Sequence, residues 1–243
     1  NLSGVVDLVR MKAYTYELGG NGKGKEGEIP ANLKDAAQAA HEKLVELVAE
    51  GDDALMEKFF EAGTLTDEEL VAGLRAATLG AKVFPLVCTS ATLNVGVQQL
   101  LNAVVAYLPS PTDQPFKGVA KDSAESLRPA DEKAPVSAFV WKTVADPFAG
   151  RITMFRVVSG TMKADSTIHN RSKDAPERLG HLMVMQGKTP TNVQEIKAGD
   201  LGAVAKLKDT LTNDVLGDKN DATAFAAIKF PEPVLSYAIE PKS

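Results

Sequence analysis

KVFPLVCTSATLNVGVQQLLNAVVAYLPSP, Lys82 to Pro111, sets a strand pattern, a polar loop and a helix pattern side by side. Val83 to Cys88 is a nearly continuous apolar run, the pattern of a short strand buried on both faces. Cys88, the single cysteine, is then expected inside as an inert thiol. A polar loop follows, Thr89-Ser90-Ala91-Thr92-Leu93-Asn94. Apolar residues recur at Val97, Leu100, Leu101, Val104, Val105 and Leu108, the stripe of a helix with one buried face. Pro109 and Pro111 close that helix, since proline cannot continue it. In open α/β sheets, ligands bind at loops that leave the carboxyl ends of strands. The stretch therefore predicts an α/β domain with a binding loop after residue 88.

Upstream, Gly4 to Tyr16 is rich in Val, Leu and Tyr and reads as one or two strands. Gly19 to Gly27, GGNGKGKEG, begins like a phosphate-binding P-loop, Gly-x4-Gly-Lys. The next residue is Glu26, where that motif needs Ser or Thr for Mg²⁺, and its carboxylate would repel phosphates. Gly22-x-Gly24-x-x-Gly27 also imitates a dinucleotide fingerprint, without the strand and helix that would flank it. The segment is expected to be a hairpin tip. Pro30 and Asn32 open a helix with Leu33, Ala37, Ala40, Leu44 and Val48 inward, ended by Gly51. Asp52-Asp53 caps a second helix, stopped by Gly63. Thr66 and Glu69 form a capping box for a third, with Leu70, Leu74 and Ala77 inward.

Downstream, residues 111–135 are proline-rich and lack periodicity, which marks a linker. Short β runs then alternate with turns, at Ser137 to Val144, Ile152 to Val158, Arg178 to Met185, Leu201 to Leu207, Ala224 to Phe230 and Val234 to Ile239. Gly199-Asp200 and Asn213-Asp214 fit turns of positive φ. Many short strands with such turns predict a closed or nearly closed barrel. Trp141, Phe148, Met154 and Phe155 read as its core, and the cations Lys142, Arg151, Arg156, Lys163, Arg171, Lys173, Arg178 and Lys188 as mostly surface.

Composition excludes several classes. The 243 residues carry net charge −5, distributed as −6 over residues 1–110, −1 over 111–135 and +2 over 136–243. The first part is a poor match for non-specific nucleic-acid binding, and the last permits an RNA contact. No apolar run approaches the ~20 residues that span a bilayer. One cysteine forms no internal disulfide, which fits a reducing compartment. His41, His169 and His181 share no ligand spacing, so no structural metal is expected. The chain starts at Asn1 without methionine, the start expected of an excised piece.

Cys88-Thr89-Ser90-Ala91 followed by Gly96-Val97-Gln98 resembles the last guanine-nucleotide motif of translational GTPases, that of elongation factor G most closely. In that family a strand ends in Gly-Ser-Ala and the loop backbone holds the base. Gly4 to Ala13, Leu55 to Phe59, Tyr107 to Pro111, Asp146 to Phe148 and Phe230 to Val234 resemble elongation factor G in the same order. The likeness runs along essentially the whole chain.

The resemblance implies an incomplete, α/β G domain with an inserted helical subdomain over residues 1–110, the linker, and an all-β translation-factor barrel, domain II, over 136–243. It implies that the Ala91 N–H meets the guanine carbonyl oxygen, that Ser90 shapes the loop and that Thr92 flanks the base. GTP or GDP with Mg²⁺ is then the cofactor of the parent protein. None is expected on this chain, which lacks the P-loop, the switch segments and the Asn-Lys-x-Asp motif a GTPase needs. In the family these precede the point that matches Asn1. The chain alone is expected to be inactive, with no catalytic residue or metal ligand.

The implied setting is cytoplasmic, with no membrane. The implied partner is the ribosome: small-subunit RNA through the barrel, and the stalk protein through the inserted helices, whose polar face carries Lys34, Asp35, Glu42, Lys43, Glu46 and Glu50. The implied function of the parent is GTP hydrolysis that drives tRNA–mRNA translocation in protein synthesis. Release-factor recycling, ribosome protection and a non-enzymatic ribosome-binding module are the alternatives. Thr89 stands where the family has glycine, and Thr92-Leu93 where it has an aromatic-lysine pair. These departures point to a paralogue, similar to elongation factor G rather than the standard factor.

Overall fold

The computed structural model describes residues 2–119, 125–221 and 223–241, and the chain divides after Pro109 into two compact units.

In the first unit, Gly4–Asp7 (β1), Lys12–Thr15 (β2) and Lys25–Gly27 (β3) form an antiparallel sheet in chain order. Tyr14 lies opposite both Val5 and Glu26, so the glycine-rich segment is the β2–β3 hairpin connection. Ala31–Ala49 (α1), Asp53–Ala62 (α2) and Asp67–Leu79 (α3) follow. Their ends obey local chemistry. Asp52 accepts from the Ala54 and Leu55 N–H groups, Gly63 ends α2 at φ 72°, and the Thr66–Glu69 capping box is complete. The inward face of α1 is Ala37, Val45, Val48 and Ala49, while Leu33 is exposed. Val45, Val48, Ala49, Leu65, Leu70 and Leu74 make the core of this unit.

The run after Lys82 departs from expectation. Val83 to Cys88 is in no strand. Phe84 and Leu86 are 81% and 87% exposed, and the Cys88 thiol is exposed rather than buried. Only Val83 packs on the core. An apolar run becomes a buried strand where neighbours supply a ladder and a cover, and no described strand pairs with this one. The helix forms as expected, Val97–Tyr107 (α4), but none of its residues is buried. Leu100, Leu101, Val104, Val105 and Leu108 are exposed, so the expected inward stripe faces outward. Its fixed end is the carboxyl one, where the Arg75 guanidinium donates to the carbonyls of Ala106 and Leu108.

The second unit is antiparallel β. Phe116–Val119 (β4) and Glu125–Arg128 (β5) form a hairpin within the proline-rich segment, and Ala224–Phe225 (β16) adds to it. The main strands are Ser137–Asp146 (β6), Gly150–Ser159 (β7), Thr161–Lys163 (β8), Thr167–Asn170 (β9), Ala175–Arg178 (β10), Leu182–Gln186 (β11), Thr189–Val193 (β12), Glu195–Lys197 (β13), Leu201–Ala205 (β14) and Val215–Gly217 (β15). Eight of them form one sheet in the order β10-β9-β15-β6-β7-β14-β11-β12, and β13 pairs with β8. A β-bulge between Val140 and Lys142 bends β6. Gly199 and Asn213 turn the chain at φ 95° and 76°, as their sequence setting predicts.

Ala138, Val140, Phe155, Val157, Met162, Leu179, Leu182, Val204 and Leu216 fill the barrel-like interior. Two aromatics expected there are outside: Phe148, 96% exposed, rides the Asp146–Gly150 turn, and Trp141 sits at the bulge, exposed. Val234 to Ile239 forms no strand and its large side chains are exposed. The fold is thus α/β with a helical insertion, then an all-β, barrel-like unit. No helix of the described residues is long and apolar enough to cross a membrane.

Candidate functional site

The loop after residue 88 closes on itself. Ser90 and Val95 exchange both backbone hydrogen bonds, at 2.9 and 3.0 Å. The Asn94 N–H reaches the Ala91 carbonyl at 3.3 Å, and the Leu93 N–H donates to Ser90 Oγ at 3.4 Å. Ser90 Oγ also lies 3.4 Å from Thr92 Oγ1. The turn needs two residues of positive φ, Asn94 at 52° and Gly96 at 72°. Glycine is required at 96, because a Cβ there would stand 2.8 Å from the Cys88 carbonyl oxygen. Val95 is fully buried and anchors the loop.

This geometry leaves two donors unused among the described residues. Ala91 and Thr92 are exposed, and their N–H groups enter no hydrogen bond among the described residues. The partly buried Ser90 and the exposed Ala91 and Thr92 thus form one short arc, shaped by the Ser90 hydroxyl. Residues 89–96 include no titratable side chain, so what the arc offers a ligand is backbone dipoles. Two adjacent N–H groups can receive a carbonyl oxygen. Nothing there can transfer a proton. The glycine-lysine segment offers no second site: Lys25 starts β3 opposite Thr15, so a strand and not a helix N-terminus follows the glycines.

In the barrel, the cations separate into committed and free. Arg151 donates to the carbonyls of Leu207 and Lys208 at 2.8 and 2.6 Å. The Arg156 guanidinium stands 5.5 Å from the Phe116 ring centre. Arg171, half-buried, lies 2.9 Å from Asp221, which also holds Arg128. Burial pushes the Arg171 pKa down, and Asp221 pulls it up. Lys142, Lys163, Lys173, Arg178 and Lys188 are exposed. Lys173 and Lys208 join Arg151 around an open pocket of about 440 Å³ that also includes Asp209.

Sequence patterns missed the carboxylates that hold the loop carrying Lys208 and Asp209. Glu177 is buried and accepts from the N–H groups of Lys208, Asp209 and Thr210 at 2.8–2.9 Å and from Thr210 Oγ1 at 2.7 Å. Asn170 links Thr210 Oγ1 to Asp214 at 3.0 and 2.9 Å. A lone Glu at an inward strand position was the only available signal. His41 bonds the Leu8 carbonyl, at 2.7 Å, and His169 bonds Asp174, at 2.8 Å. Among the described residues no group of three or more His, Cys, Asp or Glu side chains suits a metal.

Two comparisons bear on these units. Residues 135–219 match the family model for elongation factor G domain 2. Over 96% of its length the chain is similar to a crystal structure of a protein from Thermus thermophilus, at 27% identity and a TM-score of 0.73. It spans about a third, 32%, of that structure's own chain.

Proposed function

We propose, from a chain that belongs with the elongation factor G-like translational GTPases and carries their domain 2, that it forms part of a ribosome-dependent GTP hydrolase acting in protein synthesis. The observation that carries this reading is the order of its units. An elongation factor G domain 2 follows an α/β unit whose closed loop leaves the N–H groups of the exposed Ala91 and Thr92 without an internal partner among the described residues. Ala91 N–H meets the guanine carbonyl oxygen, Ser90 holds the loop, and Thr92 borders the base. GTP or GDP with Mg²⁺ is the parent protein's cofactor, and its phosphate site lies on other segments.

The apolar surfaces support the same reading. Phe84, Leu86 and the outer face of α4 are built to be covered, as a strand and helix of a larger G domain would be. The exposed polar face of α1 is the docking surface for the stalk protein, and the free lysines of the barrel face small-subunit RNA phosphates. The step served is tRNA–mRNA translocation, in the cytoplasm.

The test uses the full-length protein that contains this chain. Phosphate release from GTP should rise at least about tenfold on adding ribosomes, a stabilisation of the transition state by about 1.4 kcal/mol. Absence of ribosome stimulation would overturn the reading. A toe-printing assay then separates translocation, a three-nucleotide advance of the ribosome along mRNA, from recycling or protection, which give no such advance. The 243-residue chain alone should bind no GDP.

A further inference from the structure

The glycine-rich hairpin is more than a connection. Its tip rests on the closed loop that carries Ala91 and Thr92. Gly22, at φ 77°, lies so close to Asn94 that a Cβ on it would stand 2.2 Å from Asn94 Nδ2 and 2.4 Å from Asn94 Cγ. At the hairpin's base, the Tyr16 hydroxyl bonds the Gln99 side chain in the first turn of α4 and lies against the Gly96 N–H. Gly24 packs on the Tyr16 ring, where a Cβ would approach to 2.8 Å. From β1, Val5 approaches Gly96 closely enough that a Cβ there would be 3.3 Å away. The loop 90–96 is therefore held from the hairpin side at Asn94 and Gly96, and the start of α4 at Gln99.

These contacts matter because the loop has no charge with which to select a ligand. Its selectivity rests on where two N–H vectors point. The Ala91 N–H donates to the oxygen of guanine and is repelled by the amino group that adenine carries at the same ring position. An error of about 1 Å in such a donor is enough to lose the bond. We infer that the Gly19–Gly24 hairpin tip is a positioning element for base selection, with Gly22 and Tyr16 setting the loop through Asn94 and Gly96. The inference rests on the guanine reading of the loop proposed for this chain.

The experiment titrates fluorescent GDP and ADP analogues onto the full-length protein that contains this chain. In Gly22→Ala the new methyl group displaces Asn94. GDP affinity should fall about tenfold, the worth of about one hydrogen bond, with ADP affinity unchanged. Asn94→Gly, which keeps the positive φ and removes the side chain on which the hairpin tip rests, should lower GDP affinity by about fivefold, with ADP affinity unchanged. The double variant should bind no more weakly than Gly22→Ala, since both substitutions act on the one contact and their losses do not add. Tyr16→Phe, which leaves the hairpin backbone unchanged, should lower GDP affinity alone and guards against a misfolded glycine variant.

Equal loss of GDP and ADP binding, or a double variant whose loss is the sum of the two single losses, would overturn the inference while the guanine reading stands. So would Gly22→Ala and Tyr16→Phe variants that both bind GDP as wild type does. A wild-type protein that binds GDP no better than ADP would instead overturn the guanine reading, and the inference with it.

Discussion

Glu177 shows how one buried charge organises a surface. Burial alone would raise its pKa, but the Thr210 hydroxyl and the N–H groups of Asp209, Lys208 and Thr210 bring it below the ordinary carboxylate value. Four donors thus hold the 208–210 loop, on which Lys208 is carried. A carboxylate with a lowered folded pKa adds stability above its unfolded pKa, about 4.3, and loses it as pH falls through the lower folded value. Thermal melts from pH 7 to pH 3 should therefore show a falling transition temperature. Glu177→Gln should cost about 2 kcal/mol at pH 7 and flatten that dependence. An unchanged slope in the variant would assign the acid lability elsewhere.

At the scale of elements, what the sequence made legible was whatever a few adjacent residues decide. The caps at Asp52, Gly63 and Thr66, and the turns at Gly199 and Asn213, follow from local donors and from φ. Burial did not follow. Val83 to Cys88 and the α4 stripe have the right composition for a core, yet burial is a property of neighbours. Trp141 and Phe148 failed for a related reason, since a bulge and a turn rotate them off the inward register. The arc Ser90-Ala91-Thr92 was readable as a loop, but the hairpin contact at Gly22 was not, because it joins residues 72 positions apart. Packing between strands is also invisible locally. Gly202 of β14 leaves room for Ile196, whose Cδ1 a Cβ would meet at 2.1 Å, with Phe155 at 3.0 Å. Gly202→Ala should destabilise the barrel by about 1–3 kcal/mol, and adding Ile196→Val should recover part of the loss in a urea titration.

For the molecule as a whole, the exposed apolar surface is unevenly placed. Phe84, Leu86, Leu101 and Val105 lie together along the sequence that includes the closed loop, with Phe84 and Val105 81% and 80% exposed. Isolated, the 243-residue chain should bind the dye anilinonaphthalene sulfonate and associate with rising concentration. Phe84→Asp together with Val105→Glu should suppress both, as followed by dye fluorescence and light scattering. Persistent dye binding in that variant would move the sticky surface to Val234–Ile239, where Val234, Tyr237 and Ile239 are also exposed.

The helix α4 has no buried residue and packs on a core through the partly buried Tyr107 at its carboxyl end, and this has a kinetic meaning. Elements open locally in the order of what they bury, so the least anchored one samples unfolded excursions first. The closed loop is fastened to the amino end of that helix. Its amides should therefore exchange with solvent deuterium through brief, partial openings that leave the barrel intact. A base held by Ala91 and Thr92 would slow those openings in proportion to its occupancy. Occupancy of the arc then becomes a clock on the helix, readable residue by residue even where affinity is too weak for a binding curve.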